Sequence, residues 1–174
     1  MLKILKPAFK VNPIKTFARL LYATRFVVEG PSMEPTLASN QYLLVSHIGY
    51  RQIAPARGDI VVFHDPELSH QIDVKRIIGL PGEVVRVEDG QIFINGRPIL
   101  EPYLKGRTWL HIGDIQEWSL AEQEYLVLGD NRDRSRDSRS FGPLPRSLII
   151  GKAWIRYWPP ESWGVLTRGG KNYR

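Results

Sequence analysis

Short runs rich in β-branched and aromatic residues, each bounded by a turn signal, limit what this chain can fold into. Such runs are typical of strands, and dipeptides such as Pro81-Gly82, Asp89-Gly90 and Asn95-Gly96 are typical of the turns between strands. The sequence therefore predicts a mostly β protein, with a hairpin turn at Asp89-Gly90. The predicted strands are 42–47, 59–63, 74–78, 83–88, 91–94, 125–128 and 148–157.

Two residues, Ser32 and Lys75, lie in runs that chemistry explains better than packing does. Ser32 is in a Pro-bounded loop, Gly-Pro-Ser-Met-Glu-Pro-Thr-Leu at 30–37 (the serine loop), and Lys75 is in an apolar strand-like stretch that ends in a Pro-Gly turn. A serine hydroxyl becomes a strong nucleophile when a base removes its proton. Lysine acts as that base when apolar burial lowers its pKa. Taken alone, each could equally be a turn serine or a surface lysine.

A third run, Gly-Asp-Asn-Arg-Asp-Arg-Ser-Arg-Asp-Ser-Arg at 129–139 (the polar loop), follows the predicted strand 125–128. Its composition fits a solvated charged loop, or an arginine/serine-rich segment that meets RNA. Disorder fits poorly, because the run is short and apolar segments bound it on both sides. Alternating Asp and Arg can instead pair within the loop and give it a fixed shape. Hydroxyls such as those of Ser135 and Ser138 would then be presented to a buried partner.

Together these runs resemble the bacterial type I signal peptidases, the serine/lysine-dyad proteases that cut leader peptides from exported proteins. The resemblance rests on four segments that occur in the family's order and cover about 26–145. They are Ser-Met-x-Pro-Thr-Leu from Ser32, Gly-Asp-Ile-Val from Gly58, Lys-Arg-x-x-Gly-x-Pro-Gly-Glu from Lys75, and the polar loop from Gly129. The resemblance implies coiled antiparallel sheets of the signal-peptidase type, with the dyad in a groove.

The resemblance also implies a role for individual residues. Ser32 is the expected nucleophile, Lys75 the general base, and Ser135 the serine that hydrogen-bonds to the lysine and orients it. The loop is expected to be held by a pair of Asp137 with Arg139, with support from Asp130 and Arg132. The substrate would lie extended beside the strand before Ser32 and the strand that carries Lys75. Shallow pockets for small residues at −1 and −3 would be lined by Phe26, Val28, Met33 and Val74, although Phe26 and Met33 could instead be core residues.

One departure concerns the oxyanion. Many family members carry a serine two residues before the nucleophile, and its hydroxyl helps to bind the oxyanion. This chain has Gly30 at that position. Oxyanion stabilisation is therefore expected from backbone N–H groups around Gly30 and Ser32, chiefly that of Ser32 itself.

A second departure is at the N-terminus, where family members usually have a membrane-spanning helix. The apolar stretch 17–28 is short and contains Arg19 and Arg25, whereas a span needs about 20 mostly apolar residues. We expect 1–28 to be a basic, apolar, membrane-proximal segment. Its apolar stretch could be an amphipathic helix on anionic lipid, a residual piece of the family's span, or a helix that leads into a strand. The catalytic domain would then be 29–160, with a short insertion at 97–124 and a loosely held tail at 161–174.

Composition narrows the chemistry further. The absence of cysteine excludes a cysteine protease, a disulfide and a thiolate metal site, and the four histidines show no ligand spacing. No metal or cofactor is expected. The net charge of +6 favours anionic surfaces.

The expected partners are signal peptides and a membrane lipid surface on the extracytoplasmic face, without nucleic acid. Two alternatives stay open. One is a self-cleaving Ser/Lys protease of the phage-repressor type, although 31 residues before Ser32 are few for a helix-turn-helix domain. The other is a basic nucleic-acid-binding module built on 132–139.

Overall fold

The computed structural model describes residues 23–46, 54–104 and 115–169, and within them the chain is mostly β, as predicted. All strand pairs are antiparallel. The strands are β1 (Ala23–Val27), β2 (Tyr42–Ser46), β3 (Ile60–His64), β4 (Ile72–Gly79), β5 (Val84–Glu88), β6 (Gln91–Ile94), β7 (Arg97–Pro98), β8 (Gln116–Ser119), β9 (Glu124–Leu128), β10 (Leu144–Pro145), β11 (Ile149–Trp158) and β12 (Gly164–Val165).

The strands form two sheets. The larger has the order β1-β2-β11-β3-β4-β9-β10, with β12 added to β11, and the smaller has the order β7-β6-β5-β8. A one-turn helix, α1 (Ser138–Phe141), and 3-10 turns at Pro102–Leu104, Arg132–Arg134, Arg146–Leu148 and Pro160–Ser162 complete the described elements. The connection between β1 and β2 carries the serine loop, and the connection between β9 and β10 carries the polar loop.

Each of the seven predicted strands corresponds to an observed strand, with ends that differ by one or two residues where they are described. The match arises because these runs are rich in β-branched residues and end at turn signals. In β5, alternation also buries Val85 and Val87 and leaves Val84, Arg86 and Glu88 half-exposed. The shorter strands β7, β8, β10 and β12 were not predicted, and β1 was expected only from the family resemblance, as the strand before Ser32. Their sequences lack a run of β-branched residues, so pairing with a neighbour, rather than local preference, makes them strands.

Of the alternatives for 17–28, the described part agrees with a segment that leads into a strand, and it is not helical. Ala23–Val27 is strand β1, paired with β2 so that Phe26 lies opposite Leu43 and Val27 opposite Tyr42. Burial of Phe26 and Val28 against the core outweighs whatever helical preference the segment has. Residues 17–22 lie outside the described part of the chain. Among the described residues, the structure contains no helix with the length and apolarity that a membrane crossing requires.

The tail that was expected to be loose is packed as far as it is described. Gly164–Val165 pairs with β11, Leu166 is 5% exposed within the hydrophobic core, and Arg168 donates a 2.7 Å hydrogen bond to Asp59. Residues 161–169 therefore pack on the larger sheet and its core, and this part of the predicted tail is not loosely held. Residues 170–174 lie outside the description.

The segment 97–124 is likewise part of the fold rather than an appendage. It supplies β7 and β8 to the smaller sheet, and its 3-10 turn buries Tyr103 and Leu104 in the core of that sheet. Residues 105–114 lie outside the described ranges.

Strand β4 and strand β1 together form a groove. β4 pairs with β3 through residues 72–76, but its pairing with β9 begins only at Arg76. Within the described chain, residues 72–75 therefore have an edge without a partner strand. β1 is the end strand of the larger sheet. The groove between these two edges has a volume of about 770 Å³ and reaches Ser32 and Lys75 at its floor.

Candidate active site

The nucleophile and base expected from the sequence are in contact. The Nζ atom of Lys75 on β4 lies 3.1 Å from the Oγ atom of Ser32 in the serine loop, although 43 positions separate them in the chain. Ser32 is half-buried and faces the groove, whereas Lys75 is 3% exposed. A hydroxyl within hydrogen-bond distance of a buried amine is the arrangement that proton transfer requires.

The surroundings of Lys75 favour the neutral amine. Burial lowers the pKa of Lys75 below its usual value, while the Asp73 carboxylate, 3.8 Å away, opposes this by raising the pKa. Nζ also lies 3.1 Å from the carbonyl oxygen of Val74. Within the described residues, the carboxylate nearest to Nζ is that of Asp73 at 3.8 Å, whereas the uncharged Ser32 hydroxyl and Val74 carbonyl both lie at 3.1 Å. These surroundings favour a neutral Lys75 amine, which can accept a proton.

The polar loop holds the serine loop through Asn131. Its backbone N–H donates to the carbonyl of Ser32 at 2.9 Å, and its side-chain amide donates to the carbonyl of Pro31 at 3.1 Å. Gly129 makes this approach possible, because a Cβ atom there would lie 2.5 Å from the Ser32 carbonyl oxygen. Any side chain at 129 would therefore push the two loops apart.

Asp137 and Arg139 form the ion pair that the motif implies, with 2.8 Å between Nε of Arg139 and Oδ1 of Asp137. Asp137 is fully buried and also accepts the backbone N–H of Gly129 at 2.9 Å. The neighbouring Ser138 hydroxyl accepts the N–H of Val127 at 3.0 Å. These contacts fold the polar loop back onto β9.

Asp130 and Arg132 each form an ion pair with a residue outside the polar loop. Asp130 accepts two hydrogen bonds from Arg76, at 2.8 and 2.6 Å, and a further one from the hydroxyl of Thr36 in the serine loop. Arg132 pairs with Glu101 and donates to the carbonyl of Gly129 at 2.9 Å. Asp130 thus joins the serine loop, the lysine strand and the polar loop in one buried cluster.

Ser135 does not make the expected hydrogen bond to Lys75. Its Oγ atom is buried and, within the described chain, has no hydrogen-bond partner. It packs against Gly129, where an added Cβ would lie 2.5 Å from the Ser135 Cβ. The residue is therefore beside the dyad, but its orienting role stays a prediction.

The groove contains three of the four predicted substrate-binding residues. Phe26, Val28 and Val74 line it together with Ser32 and Lys75. Met33 does not, because its side chain is 0% exposed and packs in the core beneath β1 and β2. The core interpretation of Met33 is the correct one. Its neighbour Ser32, in contrast, lines the groove.

Gly30 is not available as an oxyanion donor in the way the sequence suggested. It has a positive φ of 76°, and its N–H donates to the hydroxyl of Ser39 at 3.0 Å. The backbone N–H of Ser32 stays the predicted chief donor. The sequence contained no signal for Ser39.

Several positioning residues were missed by sequence reasoning. Arg76 could have been found, since alternation along β4 places it on the face opposite to Lys75, where a charge needs a partner. Glu101 and Arg156 gave no signal, and Thr36 was recognised only as a motif residue, because their partners are distant in sequence. The guanidinium of Arg156 donates to the carbonyl of Thr36, 120 positions away, at 3.0 Å.

The comparisons with known proteins agree with this geometry. Residues 1–158 match the family model described as signal peptidase, peptidase S26. The chain is 39% identical over 154 residues to Probable signal peptidase I-2 of Synechocystis sp., which covers 86% of this chain and 69% of that protein. It is 40% identical over 155 residues to Signal peptidase I of Leptolyngbya laminosa, and the alignment covers 85% of this chain and 75% of that protein.

A solved structure gives the same result. The crystal structure of a signal peptidase I from Enterococcus faecalis V583 superimposes with a TM-score of 0.51 and 34% identity, covering 57% of this chain and 97% of that one. The fold and the relatives together define a serine-type peptidase. The chain belongs to the signal peptidase family, the S26 peptidases.

Proposed function

We propose that this peptidase removes N-terminal signal peptides from exported preproteins, and that Ser32 and Lys75 carry out the cleavage. The observation that carries the proposal is the 3.1 Å contact between Ser32 Oγ and the buried Nζ of Lys75, at the floor of a groove between two strand edges. The relatives named signal peptidase I supply the substrate class.

In the proposed reaction, neutral Lys75 accepts the Ser32 proton while Oγ attacks the scissile carbonyl carbon. The Ser32 N–H faces the oxygen that becomes negatively charged. Lys75 then gives the proton to the leaving amine, and the amino terminus of the mature protein departs. A water molecule, activated by the same lysine, attacks the acyl-enzyme and releases the signal peptide. The polar loop, through Asp130, Arg132, Ser135, Asp137 and Arg139, holds the two reacting residues in place.

The substrate would bind as an extended strand. The open edges of β1 and of residues 72–75 on β4 offer backbone donors and acceptors to a peptide in the groove. Phe26, Val28 and Val74 narrow the space beside Ser32, which favours small residues at −1 and −3. The proposal is tested directly by incubating the protein with a preprotein whose signal peptide ends in Ala-x-Ala and sequencing the new N-terminus. Cleavage at any other bond, or no cleavage, would contradict it.

The nucleic-acid alternative is not favoured by the arginines on which it rests. Arg132 pairs with Glu101, Arg136 with Asp65 and Glu67, and Arg139 with Asp137. Because these guanidinium groups already bind carboxylates, they are poorly placed to meet phosphates. The phage-repressor alternative is disfavoured by a family match that extends through residue 158.

The pH dependence should identify Lys75 as the base. Because burial lowers its pKa, activity should rise with pH through a value below the usual 10.5 and remain high in mildly alkaline solution. Lys75→Arg should be inactive at every pH, since a guanidinium keeps its proton. Rates of preprotein cleavage measured across pH test both statements, and a profile that Lys75→Arg leaves unchanged would contradict them.

Asp73→Asn gives a matched variant for the same experiment. The Asp73 carboxylate raises the pKa of Lys75, so its removal should shift the rising limb of the profile to lower pH without loss of the maximal rate. A shift to higher pH, or none, would show that the limb does not report Lys75.

We also propose that the enzyme works at a membrane surface, with its catalytic domain on the extracytoplasmic face. Val27, Tyr42 and Trp158 occupy one cross-strand row and are 44%, 40% and 51% exposed. This row starts at the rim of the groove, since Val27 lines it. Exposed aromatic side chains of this kind suit a membrane–water interface.

The protein should float with anionic lipid vesicles at low salt and be largely released at high salt, because screening weakens exposed charge interactions. Trp158→Ser should weaken flotation, whereas Leu100→Ser, at a residue 94% exposed but outside the row, should not. Retention after an alkaline carbonate wash would show that the protein inserts instead.

A further inference from the structure

A buried ion pair ties the polar loop to a residue outside all four motifs. Glu101 immediately precedes the 3-10 turn Pro102–Leu104. Its carboxylate accepts hydrogen bonds from both terminal nitrogens of Arg132, at 3.0 and 2.5 Å. The two side chains are 9% and 3% exposed. The hydroxyl of Tyr103 donates to the same carboxylate. A bidentate, buried pair with a further donor fixes the guanidinium in one orientation.

Arg132 passes this constraint on to the nucleophile. Its Nε donates to the carbonyl of Gly129 at 2.9 Å, and two residues further on the N–H of Asn131 donates to the carbonyl of Ser32 at 2.9 Å. The backbone of 129–131 is therefore held on one side by Arg132 and on the other by the serine loop. A displacement of the guanidinium would move the peptide that holds Ser32.

The same turn also contacts the strand that carries the base. The ring of Tyr103 lies against the guanidinium of Arg76, 3.9 Å from its centre. Arg76 follows Lys75 on β4 and is 0% exposed. One turn of the smaller-sheet region thus contacts the supports of both reacting residues.

We propose that Glu101 is a positioning residue for peptide cleavage: through Arg132, and with help from Tyr103, it sets where Ser32 lies relative to Lys75. The inference rests on the proposed function. Neither Glu101 nor Tyr103 is among the residues that line the groove, so neither contacts a peptide bound there. Their loss should therefore affect the chemical step more than substrate binding.

The test compares kcat and KM of the full-length wild type and of Glu101→Gln, with a preprotein whose signal peptide ends in Ala-x-Ala as substrate. The amide keeps the volume of the side chain but cannot accept both Arg132 nitrogens and the Tyr103 hydroxyl. We expect kcat to fall by about 10²-fold, because small misplacements of reacting groups are costly, while KM stays within about two-fold. The apparent pKa of the rate profile should not move, since Glu101 acts on position and not on the charge of Lys75.

Two variants separate positioning from stability. Leu104→Ala removes a buried side chain from the same 3-10 turn without touching Arg132, so it should lower the melting temperature and leave kcat unchanged. Glu101→Asp retains the charge and should recover part of the lost kcat. Tyr103→Phe keeps the ring on Arg76 and loses only the hydroxyl, and a several-fold fall in kcat is expected.

Unchanged kcat in folded Glu101→Gln would overturn the inference, as would a rise in KM at constant kcat. The inference would also be overturned if Leu104→Ala lowered kcat as much as Glu101→Gln does for the same loss of stability. If Glu101→Gln does not fold, Tyr103→Phe gives the same comparison of kcat with KM. A wild type that fails to cleave the preprotein would refute the proposed function, and this inference with it; failure of the inference alone leaves wild-type cleavage intact.

Discussion

Ser32→Ala and Lys75→Ala should each reduce cleavage of the preprotein by about 10⁴-fold or more, because either change removes one half of a proton-transfer pair. Ser32 loses the only atom that can form the acyl-enzyme, and Lys75 loses the amine 3.1 Å from it. The double variant should be no slower than the slower single variant, since the two residues act as a unit. Single-turnover cleavage, with circular dichroism as a check on folding, provides the measurement.

Ser147→Ala is a suitable control for this experiment. It removes the hydroxyl of an exposed serine in the Arg146–Leu148 turn, far in sequence from both motifs, and should leave the rate unchanged. Substantial cleavage by a folded Ser32→Ala or Lys75→Ala protein would exclude the dyad.

Asp130→Ala should lower the free energy of unfolding by about 3–5 kcal/mol, because it leaves the guanidinium of Arg76 buried without its carboxylate. Both side chains are 0% exposed, and they are joined by two hydrogen bonds of 2.8 and 2.6 Å. Thr36 loses its acceptor at the same time. Urea unfolding, monitored by fluorescence, measures the loss. Because Asp130 joins three segments at the site, cleavage should fall as well.

The half-exposed pair of Arg86 with Glu88 on the smaller sheet provides the contrast. Glu88→Ala should change stability by less than about 1 kcal/mol, because exposed ion pairs are worth little. A replacement of both buried partners, Arg76→Met with Asp130→Leu, should recover much of the loss, since no charge is then left unpaired. If Asp130→Ala is no more destabilising than Glu88→Ala, the buried cluster does not support the fold in the way described here.

Local patterns were sufficient for most of the fold. Runs such as 91–94 are recognisable because alternating burial and β-branched side chains are local properties, and Asp89-Gly90 forms its turn with positive φ at both residues. Strand β1 was not recognisable in this way. Ala23–Val27 contains alanine and arginine, and it becomes a strand because β2 offers an edge and the core accepts Phe26.

The candidate site was likewise identifiable from the sequence only in part. Ser32 and Lys75 were identifiable because each lies in a motif whose residue types have a chemical reason. The side of the chain on which Met33 lies was not identifiable, because a tight loop gives no periodicity from which to infer its face. The hydrogen bond expected for Ser135 is absent within the described chain: its Oγ atom is buried beside Gly129, a contact that no local pattern shows.

By itself, the sequence determined the mostly antiparallel β class, the order of the motifs, the choice of a serine and a lysine for the chemistry, and the exclusion of thiol chemistry. Only the tertiary structure decided which distant residues complete the site: Arg76 with Asp130, Arg132 with Glu101, and Asn131 with the serine loop. The physical reason is that strand propensity and turn chemistry act over neighbouring residues. The pairing of buried charges instead depends on which segments the sheets bring together, and burial then requires each charge to find a partner.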